Sequence, residues 1–458
     1  MQTERWIYFP EESEDGAWTG RIWSDANAMG QWRFEAIRIV EENAFPYATG
    51  VFGKAAPVIG LVDFEKKATL VRPLVERVEP GNHHFPRTKL AGSFQAFLEG
   101  TCVDDENEAL FASVSFESRS FSAWYGSDLI RPTRDDQFRT RSIDLAEPSV
   151  DTCVVDSLGT VEVASYGQFS RGDDEHSLRT RTVFRLRFEE LRSLSYVMDV
   201  CVGLESLFGF LVGYRPPMPV FQLLKPRPKE DPQSPEPISG LRIGGAYALE
   251  GKAPHPLERL HMRGRDGASL EVLLKAYMSA RVSLDSRIHA IQYSKWFGAT
   301  LNDQFAAVMP VFEELVKARF KNDSELSYEH LAQAFWAYVD EAPDPDLVEF
   351  AKKHLDVKDK KSPGLPALIG RAIESINAEG FSFEELLAKR INKRRAEMFH
   401  TTPFKSGENL AGFYEEKLAI TDLLMLLTLK DLGVSLPVVA KGSATDYHRF
   451  SRQQRAIP

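Results

Sequence analysis

The chain is poor in cysteine. It has three in 458 residues, Cys102, Cys153 and Cys201, far apart and with no CxxC pair. That excludes a disulfide framework and a cysteine-based zinc site, and it reads as a reduced, cytoplasmic protein. No run reaches the roughly 18 apolar residues needed to span a bilayer. The nearest stretch, 194–214, is interrupted by Asp199 and Glu205. The opening MQTERWIYFP lacks the basic and apolar blocks of a signal sequence, so no membrane association is expected. GxxxxGK(S/T), GxGxxG after a strand, HExxH and GxSxG are all missing, which argues against a P-loop ATPase, a Rossmann enzyme, a zincin and an α/β-hydrolase. Positive charge is not in excess: 56 Lys and Arg face 66 Asp and Glu, a net charge of −10. A general nucleic-acid coat is excluded, and any nucleic-acid site has to be a local basic patch. His83-His84 lies in a Pro-Gly turn, and Asp63, Glu65 and Lys67 have no further carboxylate flagged beside them. No metal and no cofactor are therefore expected.

What is present divides into two regions. Residues 1 to about 190 are β-rich, with short apolar stretches between turn signals: 58–64, 68–78, 93–103 and 110–124. Residues 178–188 alternate most clearly. Leu178, Thr180, Thr182, Phe184, Leu186 and Phe188 fall on one face, and Arg179, Arg181, Arg185 and Arg187 on the other. The spacing predicts a helix over 188–210, stopped by Gly213 and Pro216-Pro217. A Pro-rich loop follows at 225–240, then one more short strand within 241–249. From about 269 the pattern is helical: 269–284, 301–320, 326–339, 365–376, 383–400 and 413–432, with Pro343, Pro345 and the 358–364 segment as interruptions. LAITDLLMLLTL (418–429) is apolar all round, which predicts a central buried helix. The expected fold class is α+β, with a β-rich region 1–268, an all-helical domain 269–440 and a loose tail 441–458.

One segment carries chemistry. Between Leu386 and Lys405 there are six Lys or Arg against one Glu, a local +5 in an acidic protein. Lys389, Arg390, Lys393 and Arg394 can hold a phosphate backbone. His400 ends the segment, and an imidazole moves protons near neutral pH. A base, a cation and an acid are what metal-free RNA cleavage requires. Arg395 and His400 form an Arg-x4-His pair. Five residues at about 100° each set them roughly 140° apart around a helix. They converge if the chain unwinds at Thr401-Thr402-Pro403, or if a second copy of the helix completes the site in a symmetric dimer. Arg171/His176 and Arg77 with His83 and His84 match the same loose spacing, but in turns.

With these residues the region 269–440 resembles the HEPN domain, a helical bundle whose members often carry Arg-x4-6-His. The likeness rests on Arg395 and His400, on Met398-Phe399 just before the histidine, and on the apolar helix 413–432 after it. The first region is similar to the companion domain of ApeA-type anti-phage proteins, on VIGLVDFEKKATLV, FESRSFSAWYG and YVMDVCVGLESLFGFLVGYRPP. The resemblance implies a homodimeric or higher-order, metal-independent endoribonuclease that acts by abortive infection after sensing a phage component. Arg395 would stabilise the scissile phosphate and His400 would be the acid and base. The residue after the family arginine is usually polar; here it is Ala396, so that group is missing or is replaced by Arg394 or Asn392.

Blander readings stand beside these. His400 can be a histidine favoured by the helix C-terminus, and the lysines and arginines a solvated face. The 179–187 arginines can be an exposed sheet face rather than a sensor surface. Trp124 and Tyr125 read as core, and 131–141 as a self-compensated loop. The alternative to a nuclease is a non-catalytic scaffold whose bundle assembles and grips RNA or a protein.

Overall fold

A computed structural model describes residues 4–9, 18–25, 31–39, 57–63, 65–79, 87–125, 130–134, 140–145, 147, 149–171, 176–213, 218–226, 238–244, 269–295, 299–320, 326–327, 329–354, 360–361, 364–384, 386–400 and 410–436. The fold is α+β. Two compact units divide between Arg281 and Val282.

In the first unit six antiparallel strands close a barrel: β1 (Arg5–Phe9), β2 (Trp18–Asp25), β3 (Gln31–Ile39), β4 (Val58–Val62), β5 (Lys66–Glu79) and β6 (Arg87–Glu99). The ring runs β6-β3-β2-β1-β4-β5 and shuts by pairing β5 with β6. Period-two patterning fills it. Trp18, Ile22, Trp32, Phe34, Leu70, Leu90, Phe94 and Phe97 point inward, and Arg21, Arg33 and Glu35 lie on the outer face, joined in ion pairs. Each large inward side chain contributes about 1.5–3 kcal/mol by leaving water. Gly92 is required for closure: a Cβ there would strike the Leu74 carbonyl and the Phe34 ring.

The same sheet continues past β6 through later strands. These are β7 (Ala109–Phe116), β10 (Ser149–Val155), β11 (Gly159–Arg171), β12 (His176–Ser193), β13 (Val220–Leu224) and β14 (Ile238–Ile243). Their order outward from β6 is β14-β13-β7-β12-β11-β10. A separate hairpin pairs β8 (Ile130–Arg134) with β9 (Thr140–Leu145). Two helices, α1 (Arg119–Tyr125) and α2 (Leu194–Val212), pack on this part of the sheet. Phe121 sits between Phe184 (5.1 Å) and Phe208 (4.7 Å). By length and composition α2 could cross a membrane, but 72% of its apolar window is buried in protein. Its Glu205 is buried and accepts a bond from Ser120 Oγ at 2.9 Å. α3 (Leu270–Ser279) packs beside β10.

The second unit is helical. It contains α4 (Arg281–Ser294, all but its first residue), α5 (Leu301–Phe320), α6 (Glu329–Asp340), α7 (Pro345–His354), α8 (Leu365–Asn377), α9 (Leu387–His400) and α10 (Leu410–Asp431). A two-residue pairing joins β15 (Leu326–Ser327) and β16 (Lys360–Lys361). α5, α8, α9 and α10 pack on one another. From Ala419 to Leu429 every α10 residue is buried, so this is the central helix expected from its all-round apolarity. Phe305, Val308, Phe312, Leu315 and Val316 are likewise the buried stripe of α5.

Local expectations differ at several points. The helix over 326–339 starts only at Glu329, with Leu326–Ser327 paired as β15 instead, and the strand expected within 241–249 begins at Ile238, inside the Pro-rich loop 225–240. The strand over 110–124 ends at Phe116 because Ser118 caps α1, accepting from the Phe121 amide at 3.1 Å. The helix over 188–210 starts only at Leu194. Residues 188–193 prolong β12 along β7 after a bulge, and Ser193 caps α2 by accepting from Tyr196 N. The helix over 269–284 is two helices, broken at Ala280 (φ −130°, ψ 27°), where Ser279 Oγ bonds back to the Ala276 carbonyl. Pro345 begins α7 rather than interrupting, since proline lacks the amide hydrogen that a first helical turn does not use. The expected 268/269 boundary adjoins residues 245–268, outside the described set, as do 227–237 of the Pro-rich loop and the tail 441–458.

Candidate functional site on the basic helix

α9 is built from good helix formers, LAKRINKRRAEMFH, and ends at His400, two residues before Thr402, whose helical conformation Pro403 disfavours. Its core face is Leu387, Ala388 and Ile391, all nearly inaccessible. Lys389, Lys393 and Ala396 are exposed. At about 100° per residue, position 400 falls within roughly 40° of Lys389, Lys393 and Ala396, on the stripe opposite the core. Arg394 and Arg395 flank the core face on either side.

The structure gives the three arginines carboxylate partners. Arg395 makes a two-pronged bond to Glu313 on α5, Nε to Oε2 at 2.6 Å and Nη2 to Oε1 at 3.0 Å. Glu313 also takes Lys317 Nζ at 2.6 Å, one turn along. Burial pushes the Glu313 carboxyl up, but the bonds from Lys317 and Arg395 outweigh it and hold it below the usual value. Arg394 is held more completely. Its Nε meets Glu416 at 2.8 Å, its Nη1 meets Glu397 at 2.9 Å, and its guanidinium lies 5.0 Å over the Phe413 ring. Arg390 pairs with Glu384 at 3.0 Å near the start of the helix. Lys393 is 81% exposed and only 3.8 Å from Glu397.

Arg395 and position 400 lie on one unbroken helix, so the structure does not bring them to one face within this chain. Sequence reasoning missed Glu313 and Glu416, which come from helices 82 and 22 residues away. The available signal was weak: Glu313 heads an i,i+4 pair with Lys317. It also missed Lys417, buried on α10 and donating to the Ser294 carbonyl at 3.1 Å, its ammonium pushed down by burial.

Elsewhere the secondary candidates are absorbed structurally. Arg181 pairs with Glu117, and Arg185 and Arg187 share Glu162. Trp124 and Tyr125 are core. Asp63 is bound by Arg5. Among the described residues no group of three or more His, Cys, Asp or Glu could hold a metal ion. All three cysteines are free thiols, Cys201 buried and pushed well up by desolvation. His83, His84 and the side chains of Arg179, His176 and His400 lie outside the described residues, as does all of 135–139.

Residues 67–218 match the family model of ApeA N-terminal domain 1. The match supports an ApeA-like family for this chain. The ApeA N-terminal domain 1 segment begins in β5 and ends after α2, so it takes in part of the barrel and most of the adjoining sheet. It covers none of the helical unit. No curated protein and no solved structure matches the chain.

Proposed function

We propose that the chain is an anti-phage effector that cleaves RNA without a metal, with its site on the HEPN-like helical unit. The observation that carries this reading is the match of residues 67–218 to ApeA N-terminal domain 1. The arrangement on α9 supports it. Arg395 sits in a packed bundle with its Nη1 side not used by Glu313, and the register sets position 400 in line with Lys389 and Lys393. In the proposed step a neutral imidazole takes the proton of a ribose 2′-OH. The 2′-oxygen bonds to phosphorus, the bond from phosphorus to the 5′-oxygen breaks, and the imidazolium so formed gives that oxygen its proton. Arg395 stabilises the charged phosphorane. The products are a 2′,3′-cyclic phosphate and a 5′-hydroxyl. Because Arg395 and position 400 are about 140° apart on α9, the site is composite, made where two copies meet. The lysine stripe, with Arg390 beside it, grips the RNA backbone, and a phage component is the trigger.

A scaffold reading is favoured by one observation: Arg390, Arg394 and Arg395 are all already paired with carboxylates of the same chain. In that reading α9 is neutralised and the bundle serves assembly. RNA cleavage in EDTA separates the two. Cutting by wild type that is lost in His400→Ala supports the nuclease. RNA binding without cutting in both supports the scaffold. Cutting that EDTA abolishes and His400→Ala leaves intact points to a metal site elsewhere.

A further inference from the structure

A guanidinium has two edges able to hold a planar anion: the side edge of Nε and Nη2, and the end edge of Nη1 and Nη2. Glu313 fills the side edge of Arg395 with both carboxylate oxygens. Its own position is fixed by Lys317 at 2.6 Å, and its side chain is only 15% exposed. Among the described residues nothing else bonds to Arg395, and the end edge faces away from Glu313. Arg394, the preceding residue, shows the contrast: its Nε and its Nη1 are each bound by a different carboxylate. We infer that Glu313 is the positioning residue of this site. It turns the Arg395 guanidinium so that the end edge is presented to the scissile phosphate, and it touches neither substrate nor reacting atoms itself. This inference rests on the nuclease reading above. It adds a residue that lies on another helix and outside the Arg-x4-His pattern.

The geometry separates positioning from inhibition. A carboxylate across the end edge would compete with phosphate, and its removal would raise activity. A carboxylate on the side edge leaves the phosphate edge open and stops the side chain from rotating, so its removal lowers the catalytic step. The charge on Arg395 survives when Glu313 becomes neutral, so ground-state attraction for RNA is kept or strengthened.

The test measures kcat and KM for RNA cleavage in EDTA with the full chain. The set is wild type, His400→Ala, Glu313→Gln, Glu313→Asp, Arg395→Lys and the double variant Glu313→Gln/Arg395→Lys. Glu313→Gln is expected to lower kcat by about tenfold or more, the scale of a lost transition-state contact, with KM unchanged or lower. Glu313→Asp is expected to recover part of kcat. In the Arg395→Lys background, where there is no fork to orient, Glu313→Gln is expected to add less than about twofold. A purely structural Glu313 would instead lower activity by the same factor in both backgrounds, and that result overturns the inference. So does a rise in cleavage on Glu313→Gln, or a wild-type kcat in that variant. If wild type cuts no RNA, the nuclease reading falls and takes the assignment with it. If wild type cuts, His400→Ala does not, and Glu313→Gln matches wild type, only the assignment falls.

Discussion

Arg394 and Arg395 are neighbours in sequence, and the structure separates their roles enough for a sharp stability prediction. Arg394 is 13% exposed and Glu416, its partner at 2.8 Å, is 10% exposed. Glu397 at 2.9 Å and the Phe413 ring also meet its guanidinium. Arg394→Met keeps most of the aliphatic packing but leaves Glu416 charged and short of its cation at low exposure. Breaking a fully buried pair from one side costs about 3–5 kcal/mol, so a pair retaining this slight exposure should cost about 2–3 kcal/mol. Lys393→Ala removes a cation that is 81% exposed and 3.8 Å from its carboxylate, so the expected cost is within about 0.5 kcal/mol. Native-state hydrogen exchange of the α10 amides is the suitable assay, because it reads the helical unit without requiring the whole chain to unfold in one step. At 1.36 kcal/mol per decade, Arg394→Met should speed the slowest α10 amides by about 30- to 150-fold and Lys393→Ala by less than about threefold. Adding Glu416→Leu to Arg394→Met removes the stranded charge and should restore most of the protection. Equal acceleration by the two single variants, or an effect of Arg394→Met under about fivefold, would refute Arg394 as a structural pair and return it to the group of phosphate-binding cations.

Other outcomes follow from the same contacts. Glu313 titrates below its ordinary 4.5 in the folded chain, so its ion pairs contribute stability that is present above about pH 4.5 and lost as pH falls through the depressed folded value. Exchange of α5 amides followed from pH 6 to 3 should therefore accelerate less steeply in Glu313→Gln than in wild type, and parallel curves would contradict this. Gly92→Ala forces a methyl against the Leu74 carbonyl in the β5–β6 pairing and should destabilise the first unit by about 2–3 kcal/mol, read as a lower melting transition for the barrel. RNA cleavage should fall further in Arg395→Ala than in Arg395→Lys, because lysine keeps the charge but not the fork. Equal activity of all three forms would remove Arg395 from the mechanism.

The fold was legible wherever one residue's neighbours along the chain decide its environment. β12 was readable because Thr182, Phe184, Leu186 and Phe188 alternate with arginines, and those four are buried. α10 was readable because leucines cover its whole circumference. Barrel closure was not legible: β1 must bond to β4 and β3 to β6, pairings that skip over intervening strands and that no local period encodes. A helix was missed at Ser118 and a helix start misplaced at Ser193, in both places where a serine side chain decided the start. At the site, local composition marked α9 as cationic but could not show that its arginines are neutralised. Glu313 and Glu416 sit on helices whose apolar stripes dominate their patterns. For a similar reason the arginine face of β12 left a sensor surface open beside the exposed-face reading, since Glu117 and Glu162 reach it from other parts of the chain.

The angular layout of α9 carries one further consequence for the proposed chemistry. Ile391 points to the core, Arg395 lies beside it, and position 400 falls on the far stripe with Lys389, Lys393 and Ala396. On a continuous helix of about 100° per residue, Arg395 and position 400 diverge by roughly 140°, and α9 remains helical through residue 400. A cation and an imidazole that diverge on one rod converge only with those of another rod approaching from the opposite direction. The small Ala396 in the middle of the outer stripe lets such a partner come close. If so, activity belongs to pairs of chains, and two differently disabled chains should complement. Arg395→Ala and His400→Ala, each inactive alone, are mixed after co-expression under two affinity tags and the doubly tagged species is isolated. That species retains one intact Arg395 and one intact His400 on different copies, and it should regain part of wild-type cleavage. A site contained within each chain would leave every copy in the mixed species defective, and the absence of recovery in a doubly tagged assembly would refute a shared site.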